Sequence, residues 1–432
     1  MGKPKRWPVR PLLEDGESFS SWFARTAWAN GLRPGDLYRA VEPGQDRDPG
    51  DLDRYADDDL LDRVAEAADI DPEKLRQTTF RRWSGSVFGE DDGVHKLPWL
   101  HPTGRQNGKR CYGQQVCPQC LAVPGIPYLR LMWRLSFVTV CPMHGNLLVD
   151  RCPACNEPIN ILRQDSHEGI ACWACGYDLR RAAACVPPVD PRPTQQALLR
   201  TVSQGWTPMG EYGPVYSFIA LALLAHLNRL LTCGRHAHAL RAWVSGHEPA
   251  LSIRPESVPR AREGALLSPR ARSVLVPMAH WLMEEWPTRF VTAAEAIGMS
   301  SRDLLKKPPR AYPFAYAHAV EWYLREPSGR HVGDEEVAAA KELLHSQGKR
   351  ATYTALAQLL GTKAGSVSAM AERVGDGAAW GQGRYWKLDG VSPEVKAAAR
   401  IAAHRAGEGV GPWIDALVRR ELRLPPRRVI QD

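Results

Sequence analysis

No run of the ~18–20 apolar residues that a membrane-spanning helix needs occurs in these 432 residues. The longest candidate, Ser217 to Leu227 (SFIALALLAHL), is too short and reads as a buried core helix. The N-terminus is basic but lacks the apolar stretch of a signal peptide, so the expected compartment is the cytoplasm, with no membrane partner. A phosphate-binding loop is missing too: Gly104-Arg105-Gln106-Asn107-Gly108-Lys109 has the wrong spacing for GxxxxGK[ST]. There is no HExxH, since His247-Glu248-Pro249 does not continue into one. No internal repeat of a solenoid's period is visible. These absences remove the nucleotide hydrolases and the zinc proteases, and the expectation is that the chain is not an enzyme.

What is present is the composition of a folded protein, 44% hydrophobic and 24% charged, in a chain long enough for several domains. The formal charge of +8 is unevenly spread. Asp36 to Glu73 holds fourteen acidic and four basic residues, so the remainder carries +18. A strongly basic remainder points to a polyanion, here nucleic acid; the alternative is a solvated surface.

Periodicity and punctuation give the organisation. Ser20 to Ala29 is helical with Gly31 as its stop, and Leu37-Tyr38 opens a second short helix, so residues 1–105 are expected to contain a helix-turn-helix. Leu60, Leu61, Val64, Ala67 and Ala68 lie at helical spacing behind Asp57-Asp58-Asp59, which suits an acidic first turn. Residues 106–185 are dense in Cys, Pro and Gly, and four prolines within Val186–Pro193 mark a boundary. A helical block covers 195–245. A helix-turn-helix is expected within 266–330, with capping boxes at Thr292/Glu295 and Ser300/Asp303 around Gly298. Residues 331–432 are expected to form a winged helix with a basic tail. There Leu356, Leu359 and Leu360 face one way on the first helix, a second helix runs from Ala364 to Val374, and a hairpin forms around Gly381–Gly383.

The cysteines carry the sharpest signal. Cys117-x-x-Cys120 and Cys141-x-x-His144 form one pair of knuckles, and Cys152-x-x-Cys155 and Cys172-x-x-Cys175 another. Two ligands separated by two residues can meet one ion, and two such knuckles complete the closed tetrahedron of structural zinc. The spacing thus predicts two structural Zn ions per chain in tandem zinc ribbons. No coordination position stays open for catalysis. Cys111, Cys185 and Cys233 are left over as ordinary thiols.

Together these features resemble the TniQ family, which includes TnsD-type target-site selectors of transposons. The resemblance is carried by Cys117-Pro118-Gln119-Cys120-Leu121, Tyr128-Leu129-Arg130, Trp133-Arg134, Cys141-Pro142-Met143-His144-Gly145, Leu148 and Cys152-Pro153-Ala154-Cys155. Gly16-Glu17-Ser18 followed by Ser21-Trp22-Phe23-Ala24-Arg25 fits the family's opening, so that about residues 7–180 are covered. The resemblance implies a non-enzymatic protein that marks an insertion site and recruits an AAA+ ATPase, and through it the transposase. Some members instead ride on an RNA-guided CRISPR effector ribonucleoprotein, and a zinc-containing transcription regulator is the third reading.

The whole is therefore expected to be mostly α and multidomain: an N-terminal helix-turn-helix, central tandem zinc ribbons, and a helical C-terminal half with a winged helix. Duplex DNA, at the nucleoid, is the expected ligand. Lys363, Ser366, Ser368 and Arg373 on the second helix, with Arg384 and Lys387 on the hairpin, would contact it.

Overall fold

The computed structural model describes residues 6–44, 49–106, 108–165, 170–252, 267–307, 311–324, 332–361 and 408–422, with a few isolated positions between 395 and 406. The chain is mostly α and forms two compact units, residues 1–325 and 326–432. Among the described residues, sheet is limited to two short antiparallel hairpins.

The first unit opens with α1 (Phe19–Ala29), α2 (Pro34–Val41), α3 (Leu52–Tyr55), α4 (Asp58–Ala68) and α5 (Pro72–Arg76). The Ser18 hydroxyl caps α1 by accepting from the Ser21 amide, and Gly31 leaves the helix at φ +72°. α1 is buried on all sides, with Phe19, Trp22, Phe23, Ala24 and Ala27 sealed from solvent. Its polar side is also buried: Glu17 accepts from Arg25 Nε at 2.8 Å and from the Ser21 hydroxyl at 2.7 Å. Asp57 caps α4 through the Leu60 amide at 2.8 Å, and Leu60, Leu61, Val64, Ala67 and Ala68 turn inward as their spacing implies.

The acidic stretch is an internal adhesive. Asp58 pairs with Arg76 and Arg81, Asp62 with Arg76, and Glu42 with Arg63. Asp51 and Asp53 are buried around Arg134, whose guanidinium meets Asp51 at 2.6 and 2.8 Å and Asp53 at 2.5 Å. Burial alone would lower the pKa of Arg134, but Asp51 and Asp53 outweigh it and hold the pKa up. The same guanidinium donates to the carbonyls of Gly113 and His101 and lies over the Phe80 ring.

The centre carries β1 (Thr103–Gln106), β2 (Lys109–Tyr112) and α6 (Pro118–Ala122), and the rest of it is turns, isolated bridges and three single 3-10 turns at Leu131–Arg134, Ile161–Arg163 and Leu179–Arg181. Helices close over it: α7 (Arg192–Gln204), a hairpin of β3 (Trp206–Pro208) and β4 (Pro214–Tyr216), α8 (Ser217–Thr232) and α9 (Ala237–His247). They are followed by α10 (Pro269–Met283), α11 (Thr288–Ala296), α12 (Ser301–Leu304) and α13 (Phe314–Tyr323). α8 buries Leu221, Leu223, Leu224, Leu227 and Leu231 against α10. Among the described residues no single helix is long and apolar enough to cross a membrane.

Two local expectations are corrected. Thr292 is not a cap: α11 begins at Thr288, and the Thr292 hydroxyl donates to the Thr288 carbonyl inside the helix. Pro287 fixes the entry one turn earlier. The Ser300/Asp303 capping box is present, with Gly298 at φ +68° before it, but α12 is a single turn. In the second unit, α14 (Asp334–Ser346) and α15 (Tyr353–Leu359) pack through Val337, Ala340, Leu344, Leu356 and Leu360. Leu359 is instead 45% exposed, because Leu356 and Leu360, one turn apart, already fill the seam. α16 (Val410–Glu421) follows. The Ala364–Val374 helix and the expected wing lie outside the described residues.

Removing one partner of a buried charge network leaves the others unpaired, which costs about 3–5 kcal/mol. Arg134→Met should therefore lower the stability of the first unit by about that much in thermal or denaturant unfolding. The triple variant with Asp51→Asn and Asp53→Asn should recover a large part of the loss.

Candidate metal centres

The two knuckle pairs are brought together as two separate four-residue sets, Cys117, Cys120, Cys141 and His144, and Cys152, Cys155, Cys172 and Cys175. Within each set all ligand atoms lie within 4.8 Å of one another. In the first, Cys120 and Cys141 sulfurs are 3.5 Å apart, and His144 Nδ1 stands 3.5, 3.4 and 3.5 Å from Cys117, Cys120 and Cys141. In the second, the Cys152–Cys175 and Cys155–Cys172 separations are both 3.6 Å. A tetrahedron with metal–sulfur bonds of ~2.3 Å has edges of about 3.8 Å, slightly shorter where a nitrogen replaces a sulfur. The observed edges fit such a polyhedron and are far too long for disulfides of ~2.05 Å. Both sets could hold a metal ion.

Three of the four knuckles are one structure repeated. In each, the first ligand's amide bonds the carbonyl five residues on: Cys141 to Asn146, Cys152 to Glu157 and Cys172 to Tyr177, at 2.8–2.9 Å. The residue after the second ligand returns a bond to the first ligand's carbonyl, from Gly145, Asn156 and Gly176. Bridges Val140–Leu147, Arg151–Pro158 and Ala171–Asp178 continue each turn as a minimal hairpin. The returning residue is in the left-handed region at φ +71°, +59° and +73°, which glycine and asparagine tolerate best. The fourth knuckle differs: Cys117 is the N-cap of α6, and its sulfur accepts from the Cys120 amide at 3.5 Å.

Burial sets the chemistry. Cys117, Cys141, Cys152 and Cys172 are buried, Cys120, His144 and Cys155 half-buried, and Cys175 exposed. Burial raises Cys152 and pushes Cys172 up to about 12, with neighbouring thiols adding to the effect. Clustered thiols in this position ionise together only around a cation that neutralises them. Four protein ligands per set leave no position for a reacting water. Cys111, Cys185 and Cys233 belong to neither set.

The aromatic residues between the first knuckles are core: Trp133 and Phe137 are 1% exposed, and Trp99 packs edge-on to Phe137. Tyr128 is half-buried and stacks under Arg130. Polar anchors fasten this irregular chain to the helices. Gln195 of α7 accepts from the Thr139 and Val140 amides and donates to the Val140 carbonyl. Arg272 of α10, 2% exposed, donates to the Ser136 carbonyl at 2.6 Å and to Asp150 at 3.4 Å, and burial pushes its pKa down to about 10. Sequence reasoning misses these anchors, because a lone glutamine or arginine on a helix carries no spacing signal. The left-handed residues after the ligands are legible as Gly, Asn and Gly. Lys363, Ser366, Ser368, Arg373, Arg384 and Lys387 lie outside the described residues.

Residues 8–148 match the family model described as TniQ. The match takes in α1 to α5 and the first ligand set and ends before the second, short of the ~180 reached by the resemblance. No curated protein matches the chain.

Forcing a β-branched residue into the left-handed region costs of order 1–2 kcal/mol. Gly176→Val should therefore weaken metal retention at the second set about tenfold in competition with a chelator. Retention at the first set should stay unchanged.

Proposed function

We propose that this chain, whose residues 8–148 match the TniQ family model, is a non-catalytic DNA-binding selector of transposon insertion sites. It marks the site and recruits an AAA+ ATPase, and through it the transposase. The family match carries the reading, since TniQ regions belong to transposition. The two four-ligand sets support its non-catalytic part, because a closed tetrahedral site organises a fold and offers no reactive water. The metal is zinc in both, on the chemistry of the donors: three thiolates with one imidazole, and four thiolates. Cys117, Cys120, Cys141 and His144 hold one ion, and Cys152, Cys155, Cys172 and Cys175 the other.

DNA contact through the C-terminal unit belongs to the same proposal. Lys363, Ser366, Ser368 and Arg373 would face the major groove, and Arg384 and Lys387 the adjacent phosphates. Arg420, exposed near the end of α16, adds sequence-independent charge. α10 and α11 belong to the core of the first unit, so DNA binding is to be measured on the whole chain and not on a fragment starting at residue 266.

Protein purified without chelator should contain two zinc ions by elemental analysis. A structural zinc contributes about 10–16 kcal/mol of apparent binding energy, more than most domains can lose. Cys141→Ser or Cys155→Ser should therefore unfold the centre and not merely reduce one activity.

In a mobility-shift assay the whole chain should bind duplex DNA at low salt and release it as salt rises. Charge reversal at Lys363 and Arg384 should weaken binding and reduce the salt slope by about 0.9 for each phosphate no longer neutralised. No binding to naked duplex at micromolar protein, together with capture of an RNA-guided effector ribonucleoprotein, would replace this reading by the adaptor one.

A further inference from the structure

α13 buries one side and leaves a run of rings on the other. Ala315, Tyr316, Ala319 and Val320 are sealed in the core of the first unit. Phe314, His318, Glu321 and Trp322, spaced i, i+4, i+7 and i+8, share the opposite face, and all four are exposed. Trp322 is 73% exposed and Phe314 54%. Large apolar side chains gathered on one exposed face mark a place where another molecule sits.

The rings form one strip. His318 stacks on Trp322 with centroids 5.8 Å apart and planes 16° from parallel. Tyr212, from the turn between β3 and β4, stands edge-on to His318 at 5.6 Å and to Phe314 at 6.0 Å. Its hydroxyl shares a hydrogen bond of 2.6 Å with His318 Nδ1. That turn is pressed onto the core. Gly210 has φ +52°, and an added Cβ there would meet the Trp286 carbonyl oxygen at 1.9 Å. The Glu211 amide donates to the same oxygen at 3.2 Å. The strip is thus held in place before any ligand arrives.

Its border is negative. Glu321 lies within the face. Glu211 lies at its end, where Tyr323, the residue after Trp322, donates to it at 2.7 and 2.9 Å. A neutral phenol leaves that carboxylate its charge. Among the described residues no lysine or arginine is ion-paired with either glutamate. Ring faces carry negative potential of their own, so an aromatic strip bordered by carboxylates attracts cations.

We propose that this face of α13 is a docking surface for a basic segment of a partner protein, whose arginine side chains stack on Trp322 and Phe314 and pair with Glu211 and Glu321. Tryptophan, tyrosine and arginine are the residues that most often carry the binding energy of a protein interface. A nucleic acid would find rings to stack on, but its phosphates would face two carboxylates. A second copy of this chain, meeting the same face about a two-fold axis, would bring like carboxylates together. The surface uses residues of the first unit only and does not depend on DNA binding.

The test is fluorescence anisotropy of the whole chain with three labelled probes: a short peptide of alternating arginine and leucine, its glutamate-for-arginine counterpart, and an oligothymidylate. The arginine peptide should bind, and Trp322→Ala should weaken it about tenfold, as removal of an interface anchor does. The melting temperature should not change, because the Trp322 ring is exposed. Glu211→Gln/Glu321→Gln should weaken the same peptide and flatten its salt dependence. Trp322→Phe, which keeps a ring, should retain most of the affinity.

No binding of the arginine peptide by wild type, or equal binding by wild type and Trp322→Ala, would overturn the proposal. So would a Trp322-dependent affinity for the oligothymidylate or the glutamate peptide that matches that for the arginine peptide. A wild-type dimer in sedimentation that Trp322→Ala dissociates would assign the face to a second copy and overturn it as well. If Trp322→Ala melts lower than wild type, the double glutamine variant decides in its place: loss of peptide affinity supports the surface, and unchanged affinity overturns it.

Discussion

The centre of the first unit has almost no helix or sheet, so its buried amides and carbonyls must find partners elsewhere, and the rest of the structure is arranged to supply them. Long polar side chains do the work of a ladder. Gln114 accepts from the Ile161 amide, Gln115 donates to the Trp133 carbonyl, and Gln195 clamps Thr139 and Val140. Arg134 and Arg272 satisfy three further carbonyls there, those of His101, Gly113 and Ser136. Each of these side chains is buried, and a buried polar group costs heavily unless it is fully bonded. Through Gln195 and Arg272 the helices are more than packing partners: they add hydrogen bonds to those that Gln114, Gln115 and Arg134 supply from within the segment.

The ligand sets solve the same problem at shorter range. A minimal hairpin of six or seven residues is not stable in water by itself. It recurs at Cys141, Cys152 and Cys172; the last two turns face each other and the first faces the N-terminus of α6, so that a cation in each set would tie two such pieces together. The aromatic residues between the knuckles complete the arrangement by filling the space behind it, with Trp133 and Phe137 sealed from solvent.

Local signals are legible in the sequence. Ser18, Asp57, Asp71 and Ser300 each cap a helix where a short polar residue precedes an apolar periodicity, and the cysteine spacing names both sets of ligands. Non-local signals are not. Asp36–Glu73 reads as a net charge of −10, yet Asp51 and Asp53 answer Arg134 more than eighty residues away, a pairing that no window of sequence contains. Thr292 and Leu359 mislead for the opposite reason. Capping and periodicity rules see neither that Pro287 opens the helix first, nor that Leu356 and Leu360 are enough to fill their seam.

The reach of Arg272 has a consequence for biosynthesis. Asp150, two residues before Cys152, pairs at once with its neighbour Arg151 but acquires its second guanidinium, that of Arg272, from 122 residues downstream. Domains emerge from the ribosome at roughly 5–20 residues per second, so about 6–25 s separate the synthesis of the cysteine-rich centre from that of its anchor. During that interval the centre stands without Gln195 and then without Arg272, its carbonyls open to water and its thiols open to any soft cation in reach. An ion held by the two ligand sets would thus be captured early, whereas tertiary closure comes late. A nascent chain stalled before α10 would present both ligand sets in a region that has not yet acquired its final partners.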